Sequence, residues 1–348
     1  MSATEFEQRR KYWRFFSDDV GKTGCELYAK LASSISGDEA LMRLASQVRL
    51  GQPQANLLFA AVHFLLLRGA EHPLKRFYPT LNGRALPEEA TLWPTFLDFV
   101  TAHRDEISPL IAKRVTNTNE VGRSAVLHAG FKEIAKTHRA PFHLVEIGPS
   151  AGLNLRWNRY GVRYTRNDAT VATVLPDAPL VLDCELKGER DPPFEPVPVV
   201  ARATGLERDP VDLSNGEDRD WLRALTFPND VGRFQRLERA IELARSTPAD
   251  VRKGDALDCL SDALAEVPLE TTACVYHTIT TYQFSDAMRE TLDDVLMTVG
   301  VRRPVVRLSL EYNGADYELS KIEYDDGVRS QTSLGISHPH GRWLEWRA

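Results

Sequence analysis

The sequence predicts an α/β protein, with a helical N-terminal region followed by a mainly parallel sheet. Three observations predict it. Up to about residue 140, apolar residues recur at spacings of three and four, with little strand-like alternation. From Pro141 onward, short apolar runs alternate with helical stretches, as in strands joined by helices. The first of those runs, Phe142–Ile147, passes directly into the small residues Gly148-Pro149-Ser150-Ala151-Gly152.

In the N-terminal region, Leu57, Leu58, Ala61 and Leu65 mark one helix that stops at Gly69, and a second runs from Trp93 to His103. Pro53, Pro73, Pro79, Pro87 and Pro109 punctuate the segment at distances suited to short helices. Asn117 followed by Glu120 reads as a helix N-terminus, and Asn119, Glu120 and Arg123 are alternatively ligand-facing.

The strand at Phe142–Ile147 is expected to lead through the small-residue turn into a helix over Leu155–Tyr160. Further strands are expected at 197–206, 272–277, 305–311, 317–324 and 342–346, with helices at 218–225, 231–245, 256–266 and 285–298. The Pro- and Asp-rich stretch from about 161 to 198 reads as an insertion, with Val162–Tyr164 and Leu180–Leu182 as the two strands of a hairpin. The expected domains are therefore 1–140, helical, and 141–348, carrying the sheet and the insertion.

Composition narrows the function classes. The 348 residues are 43% hydrophobic and 26% charged, ordinary for a globular protein. A net charge of −6 argues against a surface that tracks a phosphate backbone, so no nucleic-acid partner is expected. Cys25, Cys184, Cys259 and Cys274 form no C-x-x-C pair, so no zinc knuckle or disulfide framework is expected. The most apolar window, Leu57–Leu67, spans eleven residues against the ~20 needed to cross a bilayer. With no signal-peptide pattern at the start, the expected location is cytoplasmic, with a small-molecule substrate and no membrane partner.

A small-residue turn between a parallel strand and a helix brings backbone N–H groups together without side-chain obstruction. Here the turn reads Glu146-x-Gly148-x-Ser150-x-Gly152, with Asn154 just beyond. It resembles the first motif of Rossmann-like S-adenosylmethionine methyltransferases, more closely than the nicotinamide pattern G-x-G-x-x-G. That resemblance implies that Glu146, Gly148, Ser150, Gly152 and Asn154 lie near the methionine end of the cofactor. Gly205-Leu206-Glu207-Arg208-Asp209 resembles the second motif, which implies that Glu207, or Asp209 in its place, accepts from the ribose hydroxyls. Gly254-Asp255-Ala256 resembles the third, with Asp255 beside the adenine amine and the Ala256 N–H toward a ring nitrogen; a plain helix cap is the other reading of Asp255.

His277 closes the fourth strand, where ligands of open α/β sheets bind, and is the candidate general base or substrate contact. Glu311, ending the fifth strand, either faces the same pocket or lies on the surface. His338 and His340 lack further metal ligands at a recognised spacing, so no metal is expected, and a loop or substrate wall is the reading.

The chain as a whole resembles the bacterial proteins grouped as domain of unknown function 2332. The resemblance rests on Pro53–Leu58, Thr118–Arg123, Glu146–Asn154, Gly254–Ala256 and His338–Gly341. It implies a helical N-terminal region attached to a methyltransferase-like Rossmann fold, with Asn119, Arg123 and His340 on the acceptor side. Two features depart from the methyltransferase pattern: Ser150 stands where glycine is usual, and residues 160–198 separate the first helix from the second strand.

Two other functions compete. Gly148-x-Ser150-x-Gly152 also matches the nucleophile elbow of α/β-hydrolases, with Ser150, Asp255 and His277 or His338 in triad order. The largely helical stretch before it leaves no room for the strands that precede the elbow in that fold. A non-catalytic protein with a nucleotide-shaped pocket is the third reading.

Overall fold

The computed structural model describes residues 3–82 and 89–348; Pro87, one of the punctuating prolines, lies outside them. In chain order the α-helices are α1 (Ala3–Lys22), α2 (Glu26–Ile35), α3 (Glu39–Ala45), α4 (Gln54–Leu67), α5 (Pro79–Asn82), α6 (Leu92–Ala102), α7 (Arg104–Lys113), α8 (Ser124–Thr137), α9 (Gly216–Ala224), α10 (Val231–Ser246), α11 (Ala256–Ala265) and α12 (Asp286–Gly300). The strands are β1 (Phe142–Ile147), β2 (Gly161–Arg166), β3 (Ala169–Val174), β4 (Val181–Lys187), β5 (Val200–Glu207), β6 (Asp250–Lys253), β7 (Thr272–Thr278), β8 (Val305–Tyr312), β9 (Tyr317–Asp325), β10 (Val328–Ser337) and β11 (Trp343–Trp346).

The chain forms two units. Residues 1–118 and 214–238 make the first, and residues 119–213 and 239–348 the second. The division thus assigns α8 to the sheet and α9 to the N-terminal helices, and it falls within α10.

The helical unit is built around α4. Eleven of its fourteen residues are buried, including His63, so this run is hydrophobic all round because it is a core helix. Tyr28 stacks on Phe59 with ring centroids 4.3 Å apart, and Trp13 meets the same ring edge-on at 5.9 Å. Pro109 punctuates nothing, since it lies inside α7. Among the described residues no helix is long and apolar enough to cross a membrane.

The second unit carries a sheet of order β3-β2-β4-β11-β10-β9-β8-β7-β1-β5-β6. From β8 to β6 every pairing is parallel. The chain runs outward from β1 to β5 and β6, then returns to the other side of β1 for β7 and β8. The order therefore reverses between β1 and β7, which makes this a topological switch point. β1 and β7 are buried along their whole length, as central parallel strands must be.

Alternate residues of these strands serve opposite faces. Val145, Ile147, Val275 and Val305 share a core with Leu260, Leu292 and Leu296 from α11 and α12. On the other face, Phe131 of α8 meets Phe142 and Tyr276 at centroid distances of 6.1 and 5.3 Å.

The structure corrects several expectations. Residues 154–159 form a 3-10 turn, broken at Arg156 (φ −110), where a helix over 155–160 was expected. The Arg156 guanidinium accounts for the break: it donates to the carbonyls of Gly152, Ala244 and Thr247, and so holds the backbone out of helical register. In the insertion, β2 pairs in parallel with β4 (Val162↔Leu182), so residues 162–164 and 180–182 are not a hairpin. The hairpin partner of β2 is β3, joined through Asn167 and Asp168, both at positive φ (50 and 63), as a tight hairpin turn requires. The insertion extends the main sheet, because β4 pairs in parallel with β11. β6 and β10 complete it.

Candidate functional site

The acidic residues singled out in the sequence lie on neighbouring strands. Glu146 is near the carboxyl end of β1, Glu207 ends β5, and Asp255 lies two residues beyond β6. The registers Glu146↔Gly205 and Glu207↔Lys253 place all three along one edge of the sheet. The turn after β1 is tightly wound, with positive φ at Gly148 (70), Ser150 (56) and Gly152 (69). At Ser150 this left-handed geometry costs a non-glycine residue ~1–2 kcal/mol.

That strain is held by Glu207. One of its oxygens accepts the Ser150 N–H at 2.8 Å and the other the Asp209 N–H at 3.1 Å, so this carboxylate ties the first turn to the second. Asp209 itself is exposed. Asp255 is the N-cap of α11 and accepts from Leu257 N at 3.0 Å, and Ala256, the first helical residue, is buried. The turn after β1 leads into a 3-10 segment rather than an α-helix, and among the described residues α11 is the α-helix that starts directly beyond a strand of this three-strand edge.

Glu146 is 1% exposed and faces the α8 side with Tyr276. The Tyr276 hydroxyl lies 2.9 Å from Glu146 Oε2 and 3.1 Å from the Asn154 carbonyl, and its proton serves these two acceptors. Burial pushes the Glu146 carboxyl up to about 8; the Tyr276 hydrogen bond, Arg123 and Arg156 pull against this, while Glu207 adds to it. At neutral pH this carboxyl is therefore protonated. Asn154 accepts from the Ser124 hydroxyl at 2.9 Å and donates to the Glu120 carbonyl at 3.2 Å. Asn119 accepts the Leu153 N–H at 2.9 Å, and Glu120 the Gly122 N–H at 2.9 Å. The Asn119–Arg123 segment is thus bonded onto the turn that follows β1.

On the opposite face of the sheet, His277 Nδ1 lies 2.7 Å from Glu311 Oε1. The same oxygen accepts the N–H groups of Thr280 and Thr281 at 2.8 and 3.0 Å. Burial pulls the Glu311 carboxyl upward, but the His277 hydrogen bond and these amides outweigh it and hold the group below the usual carboxylate range. Glu311 is therefore turned toward His277 and held in its ionised form. Arg123 connects the two faces: its guanidinium donates to the carbonyls of Thr278 and Pro339, both at 2.8 Å, and its charge is felt by Glu146.

The His338–Gly341 loop packs against the Gly122–Arg123 turn. A Cβ on Gly122 would lie 2.3 Å from the His340 carbonyl oxygen, and one on Gly341 2.1 Å from that of Gly122. Only glycine permits these backbones to cross. His340 is half-buried, with its N–H donating to His338 Nδ1 at 3.0 Å. Among the described residues no group of three or more His, Cys, Asp or Glu is arranged to hold a metal ion.

The structure thus brings together Glu146, Gly148, Ser150, Gly152, Asn154, Asn119 and Arg123, places Glu207 and Asp255 along the adjoining strands, and sets His277 on the opposite face of the same edge. Tyr276 is the partner that sequence reasoning missed. A tyrosine inside an apolar strand carries no mark of a carboxyl across the neighbouring strand.

A family model described as an uncharacterized protein conserved in bacteria (DUF2332) matches residues 10–346. No curated protein and no solved structure matches the chain. The chain belongs to the matched bacterial family.

Proposed function

We propose that this member of the DUF2332 family is a methyltransferase that binds S-adenosylmethionine along the carboxyl ends of β7, β1, β5 and β6 and methylates a small molecule. The observation that carries the reading is the placement of Glu146 on β1, Glu207 on β5 and Asp255 just beyond β6, at the carboxyl ends of three adjacent parallel strands beside the switch point. With strands about 4.8 Å apart, β1 to β6 covers roughly 10 Å. That is on the scale of a nucleoside extended from its 5′ substituent to its base.

The donor and acceptor chemistry along this edge suits such a ligand. Each Glu207 oxygen takes one backbone N–H and keeps a lone-pair site for a ribose hydroxyl. The Ala256 N–H belongs to the first turn of α11, whose amides have no partner within the helix, and suits a ring nitrogen. Glu146, neutral beside Tyr276, would ionise on meeting an ammonium group, since an adjacent cation favours the charged form. The bound cofactor supplies a methyl group on a positively charged sulfur. The chain's part is to hold that methyl in line with the acceptor.

Thermal-shift and calorimetric titration with S-adenosylhomocysteine test the reading. Saturation at 100 times Kd adds about 2.7 kcal/mol of stability. Asp255→Ser keeps a capping oxygen and with it the fold, and is expected to weaken binding. S-adenosylhomocysteine that neither stabilises nor binds the protein, or binding by NAD in its place, overturns the proposal. Binding without methyl transfer to any acceptor supports the non-catalytic reading.

A second reading is favoured by one observation. Ser150, at φ 56 in G-x-S-x-G directly after a strand, has the left-handed geometry of a nucleophile elbow. Covalent labelling by a fluorophosphonate confined to Ser150 is the result that selects it.

A further inference from the structure

The pairing of His277 with Glu311 fixes which ring nitrogen carries the proton. Glu311 Oε1 is an ionised acceptor already receiving two backbone N–H groups, so the ring nitrogen 2.7 Å away has to be a donor. In a neutral imidazole with Nδ1 protonated, Nε2 is a bare lone pair. That atom is buried in a residue 2% exposed and has no hydrogen-bond partner among the described residues. A buried side-chain nitrogen without a partner calls for an explanation, and a catalytic role is one that suits its place in the fold. It belongs to a residue at the carboxyl end of the strand that flanks the switch point.

We infer that His277 Nε2 is the general base for the methyl acceptor, whose reacting atom therefore carries a proton, as in hydroxyl and N–H compounds. This rests on the methyltransferase reading and names the acceptor class for it. As the acceptor oxygen or nitrogen forms its bond to the methyl carbon, the carbon–sulfur bond breaks and its electron pair stays on sulfur. The proton of the acceptor passes to Nε2 and from there to solvent. Glu311 is a positioning residue: it holds the imidazole in the tautomer with Nε2 free and steadies the imidazolium that forms, a role carboxylates play beside other histidine bases. Thioethers and tertiary amines have no proton to give and gain nothing from such a pair.

The charged and titratable groups nearest this pair agree with the assignment. Arg123 is bonded to the Thr278 carbonyl, one residue from His277, and the exposed Tyr282 feels both Arg123 and Glu311.

Two measurements test the inference. The first is nitrogen NMR of histidine-labelled protein, with the His277 resonances identified by their loss in His277→Asn. Nδ1 is expected to be protonated and Nε2 bare, and Glu311→Ala is expected to abolish that preference. A proton on Nε2 in the unaltered protein overturns the inference. The second is an S-adenosylmethionine-fed panel of phenols, alcohols, primary and secondary amines, thioethers and tertiary amines, read by S-adenosylhomocysteine formation. Turnover is expected only for the hydroxyl and N–H compounds. His277→Asn, which keeps a donor toward Glu311, should lower kcat at least ~100-fold while S-adenosylhomocysteine affinity stays within about twofold. Unchanged kcat in that variant, turnover confined to thioethers or tertiary amines, or no turnover by a protein that binds S-adenosylhomocysteine overturns it. Failure of S-adenosylhomocysteine to bind instead removes the reading beneath it, a result distinguishable because the tautomer measurement needs no ligand.

Discussion

Glu146→Gln isolates a carboxyl that burial holds in its neutral form. The ordinary value of 4.5 and the buried value of about 8 differ by 8 − 4.5, about 3.5. Between those two pH values the folded chain holds a proton that the unfolded chain has released, so stability falls as pH rises through the window. At 1.36 kcal/mol per pH unit the effect is roughly 3 kcal/mol at pH 7 and roughly 5 kcal/mol above pH 8. The side chain is 1% exposed, so solvent does not screen it. Glutamine reproduces the neutral form, and its carbonyl still accepts from Tyr276. The variant should therefore match the parent near pH 4.5 and exceed it by these amounts at pH 7 and above. Native-state hydrogen exchange of the β1 and β7 amides reads the opening free energy of this sheet directly. Parallel pH profiles for the two proteins would refute the claim that Glu146 is neutral in the fold.

Other consequences are open to measurement. Gly341→Ala puts a Cβ 2.1 Å from a backbone oxygen at positive φ, so it should destabilise by more than ~3 kcal/mol in urea unfolding; a cost under about 1 kcal/mol contradicts the crossing of the two loops. Asp255→Ala should lose about 1 kcal/mol of stability, and Asp255→Ser should restore most of it, since a hydroxyl also caps α11. Burial lowers His63 to about 4 against its hydrogen bonds to the backbone of Ala224 and Thr226, so its contribution is present above pH 6.5 and lost as pH falls toward 4. The drop, roughly 3 kcal/mol, should vanish in His63→Gln when exchange is followed in α4.

The sequence carried the broad architecture because central parallel strands are short apolar runs. Phe142–Ile147 and Thr272–His277 are visible without any partner. β6, only four residues of mixed polarity, and β10, whose first six residues are exposed, have no such pattern. The 154–159 turn reads as a helix because its residues tolerate one. It is carbonyls about ninety residues away, at Ala244 and Thr247, that capture Arg156 and break it. Arg123 reads in the sequence as a ligand-facing residue, and nothing there shows that its guanidinium fastens Thr278 and the His338–Gly341 loop. Glu207 is legible through the resemblance of Gly205–Asp209 to a ribose-binding motif, whereas its bond to the Ser150 N–H is set by the fold and leaves no mark in the sequence. His277 stood out by its place on β7. Its partner Glu311, 34 residues further on, is joined to it only by the pairing of β7 with β8.

Calorimetry of S-adenosylhomocysteine binding between about pH 6 and 8.5, in two buffers of different ionisation enthalpy, tests the central claim most directly. An ammonium group drawn to Glu146 should release close to one proton at neutral pH, and affinity should rise with pH toward 8, with both effects lost in Glu146→Gln. No binding heat at any pH, or the same affinity and proton count in the two proteins, would contradict it.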